Sequence, residues 1–443
     1  MLEAIDFDRF TMGFSLGVHI ILAVLGMALP VIIMLAEYLA IKHKDEYYAV
    51  LSKRLTTVFV VFFAVGVASG FLVAINLLFL WPSFMALVSQ VAIAPVYLEV
   101  FAFFTEAIFL VIYLFYRDVF SHKYVRVLLM GIIAVGGAAS AVLITILNSF
   151  MNTPVGFNIA AYLQNGTVTG INPLATFAAP AVGIEVPHVL ATSYLAGSGI
   201  ILAYFAYMLL THRGDSERVK TYHLKALKLS FAVFLVAVIF SVITGVLSIQ
   251  SLYTIQPEKY AAIELNLNST ANAPEIIGGI YQNNTIVDAV YIPGLQSDLD
   301  GGASVVVPGL NQYPQSTWPP LIIHILFEVM VFLGFAIGIF ALLVFVLHEL
   351  KRKVFQSKTI LVLLLLSGAL SLLVLEFGWV VDEVGRQPWI IYNVMTVSQA
   401  ANQSLSIVPI ALLIVAIYVV IIPVTLLAIR RILSREDLES ELK

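Results

Sequence analysis

The chain has 443 residues, is 60% hydrophobic and only 11% charged, and has a mean hydropathy of +0.99. Such a sequence cannot hide its apolar side chains in one aqueous core, so lipid must be its solvent. A formal net charge of −4 is too small to imply nucleic acid, and the absence of cysteine excludes disulfides, thiolate metal sites, iron–sulfur clusters and thioether-attached haem.

In chain order, apolar runs able to cross about 30 Å at about 1.5 Å per residue lie near 11–40, 55–80, 95–117, 127–150, 187–211, 225–252, 318–349, 359–380 and 406–431. The first run, of about thirty residues, is too long for the apolar core of a cleaved signal and is expected to be retained. The pattern predicts an all-α integral membrane protein of about nine transmembrane helices, read as a single membrane domain over 1–443. Of 23 Lys and Arg, 20 fall in 41–54, 117–126, 212–228, 350–358 and the tail from Arg430. Arg9, Lys259 and Arg386 alone stand in the alternate connections. The positive-inside rule then places the N-terminus outside and the C-terminus in the cytoplasm. The long connections 151–186 and 253–317 fall outside, as do glycosylation triplets at Asn165, Asn268, Asn283 and Asn402, which polar loops also produce by chance.

An ionisable group in hydrocarbon costs about 2.5–3.5 kcal/mol on insertion scales, so each needs a partner or a task. His43, His122, His212, His223 and His348 join the basic clusters, whereas His19, His188 and His324 do not. Glu99 and Glu106 sit seven apart on the third span, nearly on one face. Asn148 closes the fourth span outside, and Glu383 and Arg386 follow the eighth in the stretch Gly385-Arg386-Gln387-Pro388-Trp389. Taken singly, a histidine here reads as a helix–helix hydrogen bond, Met330 as packing, the glutamates as structural pairs and Arg386 as an interface anchor. Jointly, His, Met and carboxylates near one depth without cysteine suit bound haem better than a soluble-ion pathway.

At these residues the chain closely resembles subunit I of the cytochrome bd-type quinol oxidases, in a short-loop or divergent branch. The matching stretches are Asp8-Arg9-Phe10 with His19; Gly66 to Gly70; Glu99 with Ala102 to Glu106; Ser140-Ala141, Asn148 and Met151 to Pro154; His188; Lys259 to Glu264; Phe327 to Val331; and Gly378-Trp379, Glu383 and Gly385 to Trp389. The resemblance implies that His188 and Met330 ligate a low-spin haem b. It assigns His19 and Glu383 to a second, high-spin haem b and to haem d or a further haem b, without saying which serves which. It implies Glu99 and Glu106 beside the di-haem site, Glu99 as a further candidate iron ligand, and Arg9 and Arg386 as partners of haem propionates. Trp379 and Asn148 belong to the same cofactor surroundings. Lys259 and Glu264 match the quinol-binding pair of the outer loop 253–317. The implied activity is an electrogenic, copper-free quinol:oxygen oxidoreductase of the prokaryotic cell membrane, oxidising quinol outside and drawing protons from the cytoplasm, with Ser140 near the outer end of the path. The implied partner is subunit II; pairing with a second copy of the chain is left open.

Three departures from the family pattern stand out. The better-known members space the two glutamates by eight, so here one should rotate by about 100° unless the helix bulges. Glu328 stands where many members have Arg, with His324 one turn earlier, and a local His–carboxylate bond is expected there rather than a new ligand. The outer loop is short, about 65 residues. Two other readings compete. An ion or proton transporter would place its carboxylates at mid-membrane in matched halves, and a non-catalytic haem-binding paralogue would lack His19, Glu383 or Lys259. The sequence shows neither feature.

Overall fold

In a computed structural model, residues 4–211, 216–350, 353–433 and 435–442 are described. His212, Arg213, Lys351, Arg352 and Lys443, assigned above to the basic face, lie outside them. Nine long apolar helices are present among the described residues: α1 (Ala4–His43), α2 (Glu46–Leu80), α3 (Ile93–Tyr116), α4 (Tyr124–Asn152), α5 (Val182–Thr211), α6 (Glu217–Ile255), α7 (Ile323–Leu350), α8 (Lys358–Val384) and α9 (Val408–Ile432). Every expected span is there, and the differences lie at the ends. Helix α2 begins nine residues early because the Asp45 carboxylate caps the Tyr47 amide and continues the helix beyond its apolar part. Helix α7 begins late, at Ile323, because Pro319 and Pro320 lack amide donors and bias the chain away from helix. A short helix, Pro82–Val91, fills the connection before α3.

Helices α1 and α5 form the middle of the bundle. Half or more of their most apolar windows is buried, 50% and 61%, against 17–39% for the other seven. Lipid supplies no hydrophobic force between helices, so close backbone approach at small residues must do the work. A Cβ added at Gly197 of α5 would lie 2.2 Å from the Val24 carbonyl oxygen of α1. One added at Gly368 of α8 would lie 2.1 Å from the Gly199 carbonyl oxygen of α5. These two contacts lock α1, α5 and α8 together.

Residues 253–317, expected only as a polar loop, fold into defined structure. A helix, Pro257–Ile263, precedes an antiparallel hairpin of β1 (Glu275–Gln282) and β2 (Thr285–Ile292). Asn283 and Asn284 turn the hairpin at φ 51° and 61°, as a tight two-residue turn requires. The Tyr260 hydroxyl donates to Asp300 at 2.6 Å and accepts from Gln296, which fixes the far end of the segment to its first helix.

Gly368→Leu should therefore destabilise the bundle by about 1–3 kcal/mol or more. Gly26→Ala, where nothing lies within 4 Å, should be silent. Thermal unfolding in detergent, followed by size exclusion, checks both; equal melting points would refute the tight α5–α8 contact.

Candidate functional site

An apolar cavity opens between α5, α6, α7 and α8, and His188, Met330, Trp379, Lys259 and Asp382 all line it. Two glycines make room for the candidate ligands. A Cβ at Gly245 would lie 3.4 Å from His188 Cε1, and one at Gly378 would lie 3.3 Å from Met330 Sδ. The histidine is also set in one tautomer. His188 Nδ1 lies 3.0 Å from the Thr244 hydroxyl, whose own proton goes back to the Phe240 carbonyl at 2.8 Å. Thr244 can then only accept, so Nδ1 carries the hydrogen and Nε2 keeps its lone pair.

His19 repeats the scheme on α1 and α2. Its Nδ1 lies 2.8 Å from the Ser69 hydroxyl, which donates to the Gly66 carbonyl at 2.8 Å, and a Cβ at Gly70 would approach its Cε1 to 3.2 Å. His324 differs. Its Nδ1 lies 2.6 Å from the Ile263 carbonyl and its Nε2 2.9 Å from the Gly278 carbonyl, so neither nitrogen is left for a metal. Glu328 stands 3.6 Å from that Nε2 and accepts the Gly278 amide at 2.9 Å through each oxygen. The pair clamps β1 onto α7; the expected His–carboxylate contact is longer than a hydrogen bond.

Glu99 and Glu106 lie on the unbroken α3, with no bulge. Both nevertheless face α4: Ser140 donates to Glu99 Oε1 at 2.6 Å, and Gly136 and Gly137 pack against the Glu106 side chain. A seven-residue step drifts only about 20°, which keeps the two on one face. Trp379 lines the His188 cavity and packs against the Val24, Ala196 and Leu375 cluster, as does Ile20, the neighbour of His19.

A polar network roofs the cavity. Lys259 Nζ donates to Asp382 Oδ1 at 2.5 Å and to the Asp382 carbonyl at 3.0 Å. Asn148 donates to Asp382 at 2.6 Å and accepts from Arg386 at 3.1 Å. Arg386 also reaches Asn152 at 2.8 Å and Glu383 at 2.5 Å, while Asn152 and Ser149 hold Glu185 at 2.8 and 2.7 Å. The guanidinium is 2% exposed, yet its Nε has no hydrogen-bond partner among the described residues, nor has the buried Trp389 Nε1. Two unsatisfied donors at the outer edge fit an anionic group such as a propionate, which would complete them. Exposed Arg9 donates to Gln387 Oε1 at 2.5 Å, in the same stretch.

The structure separates Lys259 from Glu264. Lys259 belongs to the roof, whereas buried Glu264 faces Glu275, Asp300 and Glu328. Burial first, then those three charges, pushes the Glu264 carboxyl well above the usual carboxylate range. The residues that sequence reading missed are Glu185, Asp382, Thr244 and Glu376, whose Oε1 is buried without a partner; Ser69 and Asn152 stood in matched stretches but were given no role. Glu376 carried the signal already used, a carboxylate within an expected span, and Glu185 and Asp382 stood two residues outside one. Thr244 carried none, because hydroxyls are common in membrane helices.

Lys259→Met should cost about 3–5 kcal/mol by leaving Asp382 buried without its closest cation. Adding Asp382→Leu should recover most of that loss in thermal unfolding; strictly additive losses would refute the pairing. The folded chain holds the Glu264 proton more tightly than the unfolded chain, so that contribution is full below about pH 4.3 and is lost as pH rises through the raised folded value. Glu264→Gln should accordingly flatten the fall of melting temperature with rising pH. An unchanged slope would mean that Glu264 does not hold a proton in the fold.

Comparison with known proteins identifies the family. A family model described as "Cytochrome bd terminal oxidase subunit I" matches residues 7–437. The "Putative cytochrome bd menaquinol oxidase subunit I" of Bacillus subtilis (strain 168) is 35% identical over 416 residues, 93% of each chain. The "Cytochrome bd ubiquinol oxidase subunit 1" of the same organism is 26% identical, over 88% of this chain and 84% of that one. Among solved structures, "The structure of bd oxidase from Geobacillus thermodenitrificans" superposes with a TM-score of 0.89 at 34% identity, covering 97% of this chain and 98% of that one. The chain is a multi-pass membrane protein that belongs to the cytochrome bd terminal oxidase subunit I family.

Proposed function

We propose that this chain is the catalytic subunit of an electrogenic quinol:oxygen oxidoreductase that takes quinol from the outer side and protons from the cytoplasm. The observation that carries the reading is the His188–Met330 cavity. Two candidate axial ligands from different helices line one apolar space, each opposite a glycine, and the imidazole Nε2 is left free by Thr244. His188 and Met330 would hold a low-spin haem b. His19 would hold one of two further haems, a high-spin haem b and either haem d or another haem b, and Glu383 the other, exchanging its Arg386 bond for that role. Glu99 stands as an additional candidate ligand. When bound, the haems supply electron transfer from quinol and the reduction of oxygen to water.

The remaining roles fall to the chain's own side chains. Arg386, with Arg9 and the Trp389 indole, offers donors to propionates, and Asn148 and Asn152 hold the guanidinium in place. Trp379 fills the space between the two ligand helices and excludes water. Segment 253–317 serves as the quinol-binding loop. Lys259 orients the substrate from the roof, and Glu264 passes its own proton to the neighbouring carboxylates and takes up one released by quinol. Ser140, Glu99 and Glu106 form the outer end of the proton supply. The relatives' names favour a quinol of the menaquinol or ubiquinol class. A membrane-embedded subunit II completes the enzyme.

A reduced-minus-oxidised spectrum with haem extraction tests the reading. Bound haem with a low-spin b-type signal is expected, and a far-red band would identify haem d. Met330→Leu should disturb the low-spin signal selectively. A haem-free protein would sink the function, and an unaltered low-spin signal in the variant would sink the ligand assignment.

A further inference from the structure

A second polar cluster lies at the basic face, apart from the outer roof. Glu37, near the end of α1, is 3% exposed. Its Oε1 accepts from Ser52 of α2 at 2.7 Å, from the Tyr113 hydroxyl of α3 at 2.7 Å and from the Arg117 guanidinium at 3.1 Å. Three segments thus converge on one carboxylate oxygen. Arg117 also lines a surface pocket of about 430 Å³ with Ala49, Val50, Lys53 and Asp118. Its guanidinium lies 5.1 Å from the centre of the Tyr113 ring and 3.9 Å from the exposed Asp118 carboxylate. A single side chain therefore joins the surface pocket to the buried glutamate.

Tyr113 also continues a pattern. Glu99, Glu106 and Tyr113 follow one another at seven-residue intervals on the unbroken α3. Each interval is two turns, about 10 Å of rise, with a drift of about 20°. One face of α3 therefore carries carboxylate, carboxylate and phenol, from the Ser140 contact down to the pocket at the basic face. Met130, Ile133 and Leu110 are buried in one cluster with Tyr113.

We propose that Glu37 is the proton-loading residue of the basic face, taking protons from the Arg117–Asp118 pocket and passing them through Tyr113 toward Glu106. The proposal rests on the quinol oxidase reading, which requires protons to cross from the cytoplasmic side. In the step, hydronium gives its proton to the Glu37 carboxylate. The resulting carboxyl donates to the Tyr113 oxygen while the phenolic hydrogen passes to a solvent water bound for Glu106. The tyrosine is unchanged, the carboxylate is regenerated and no electron moves.

The same bonds would also serve a helix tie, so the test must separate the two roles. Glu37→Gln keeps an acceptor for all three donors but cannot be loaded with a proton. In the two-subunit holoenzyme in sealed vesicles, this variant should keep the parental haem content and reduced spectrum. Its turnover per haem should fall roughly tenfold or more, with proton uptake slowed in parallel and a larger solvent deuterium effect. Reduction-induced infrared difference spectra should lose one carboxyl band, and Glu37→Asp should restore part of each property. Tyr113→Phe should be slow and Ser52→Ala normal, which keeps the test available should Glu37→Gln assemble poorly. Parental turnover and isotope effect per haem in Glu37→Gln, or in Tyr113→Phe, would overturn the proposal. Assaying the parent first keeps the two questions apart: its haem content and quinol oxidation test the functional reading, and the variant-to-parent ratio tests Glu37.

Discussion

Charge taken out of water must be met by opposite charge or by donors and acceptors, and here that constraint acts at the outer end of the bundle. Lys259 and Arg386 enter the protein with Asp382 and Glu185, Arg386 reaches outward to the more exposed Glu383, and Asn148, Asn152 and Ser149 take up the remaining valences. Leaving any of these ions alone would cost more than a typical helix contact returns. The network therefore dictates how α4, α5, α8 and the helix Pro257–Ile263 meet. Those are the elements that frame the roof of the His188–Met330 cavity.

Below the roof the packing follows a different rule. Backbones meet at Gly197 and at Gly199–Gly368, where no larger residue fits, and the same economy of volume recurs beside each candidate ligand. Gly245, Gly378 and Gly70 stand opposite His188, Met330 and His19. Tight backbone contact at one level and empty space at another are both produced by glycine. A planar cofactor would need this combination of rigid helices and open space between them.

The three outer histidines show how neighbours decide chemistry that residue type leaves open. Thr244 and Ser69 spend their hydroxyl protons on their own helices, so each accepts from a histidine Nδ1 and frees the opposite nitrogen. His324 meets two backbone carbonyls instead and becomes a clamp for the hairpin. Its partner Glu328 holds the Gly278 amide two residues before Met330, so the outer segment and the ligand helix α7 move as one piece. Glu328 thus serves to dock a loop.

The sequence by itself determined the solvent and the number of crossings. Hydropathy over about twenty residues is a local property that no packing can reverse. It also exposed His19, His188, Glu99, Glu106 and Arg386, because ionisable groups in apolar runs and the Gly385–Trp389 stretch stand out in one dimension, and Met330 through the family resemblance. Only the tertiary structure decided which of them share a space. Glu99 and Glu106 remain on one face because α3 has no bulge, Lys259 and Glu264 part company because Pro257–Ile263 turns them to opposite neighbours, and Asp382 rather than Glu264 answers the lysine. Side-chain direction and cross-helix partners depend on crossing points that lie hundreds of residues apart in the chain, so no local window contains them.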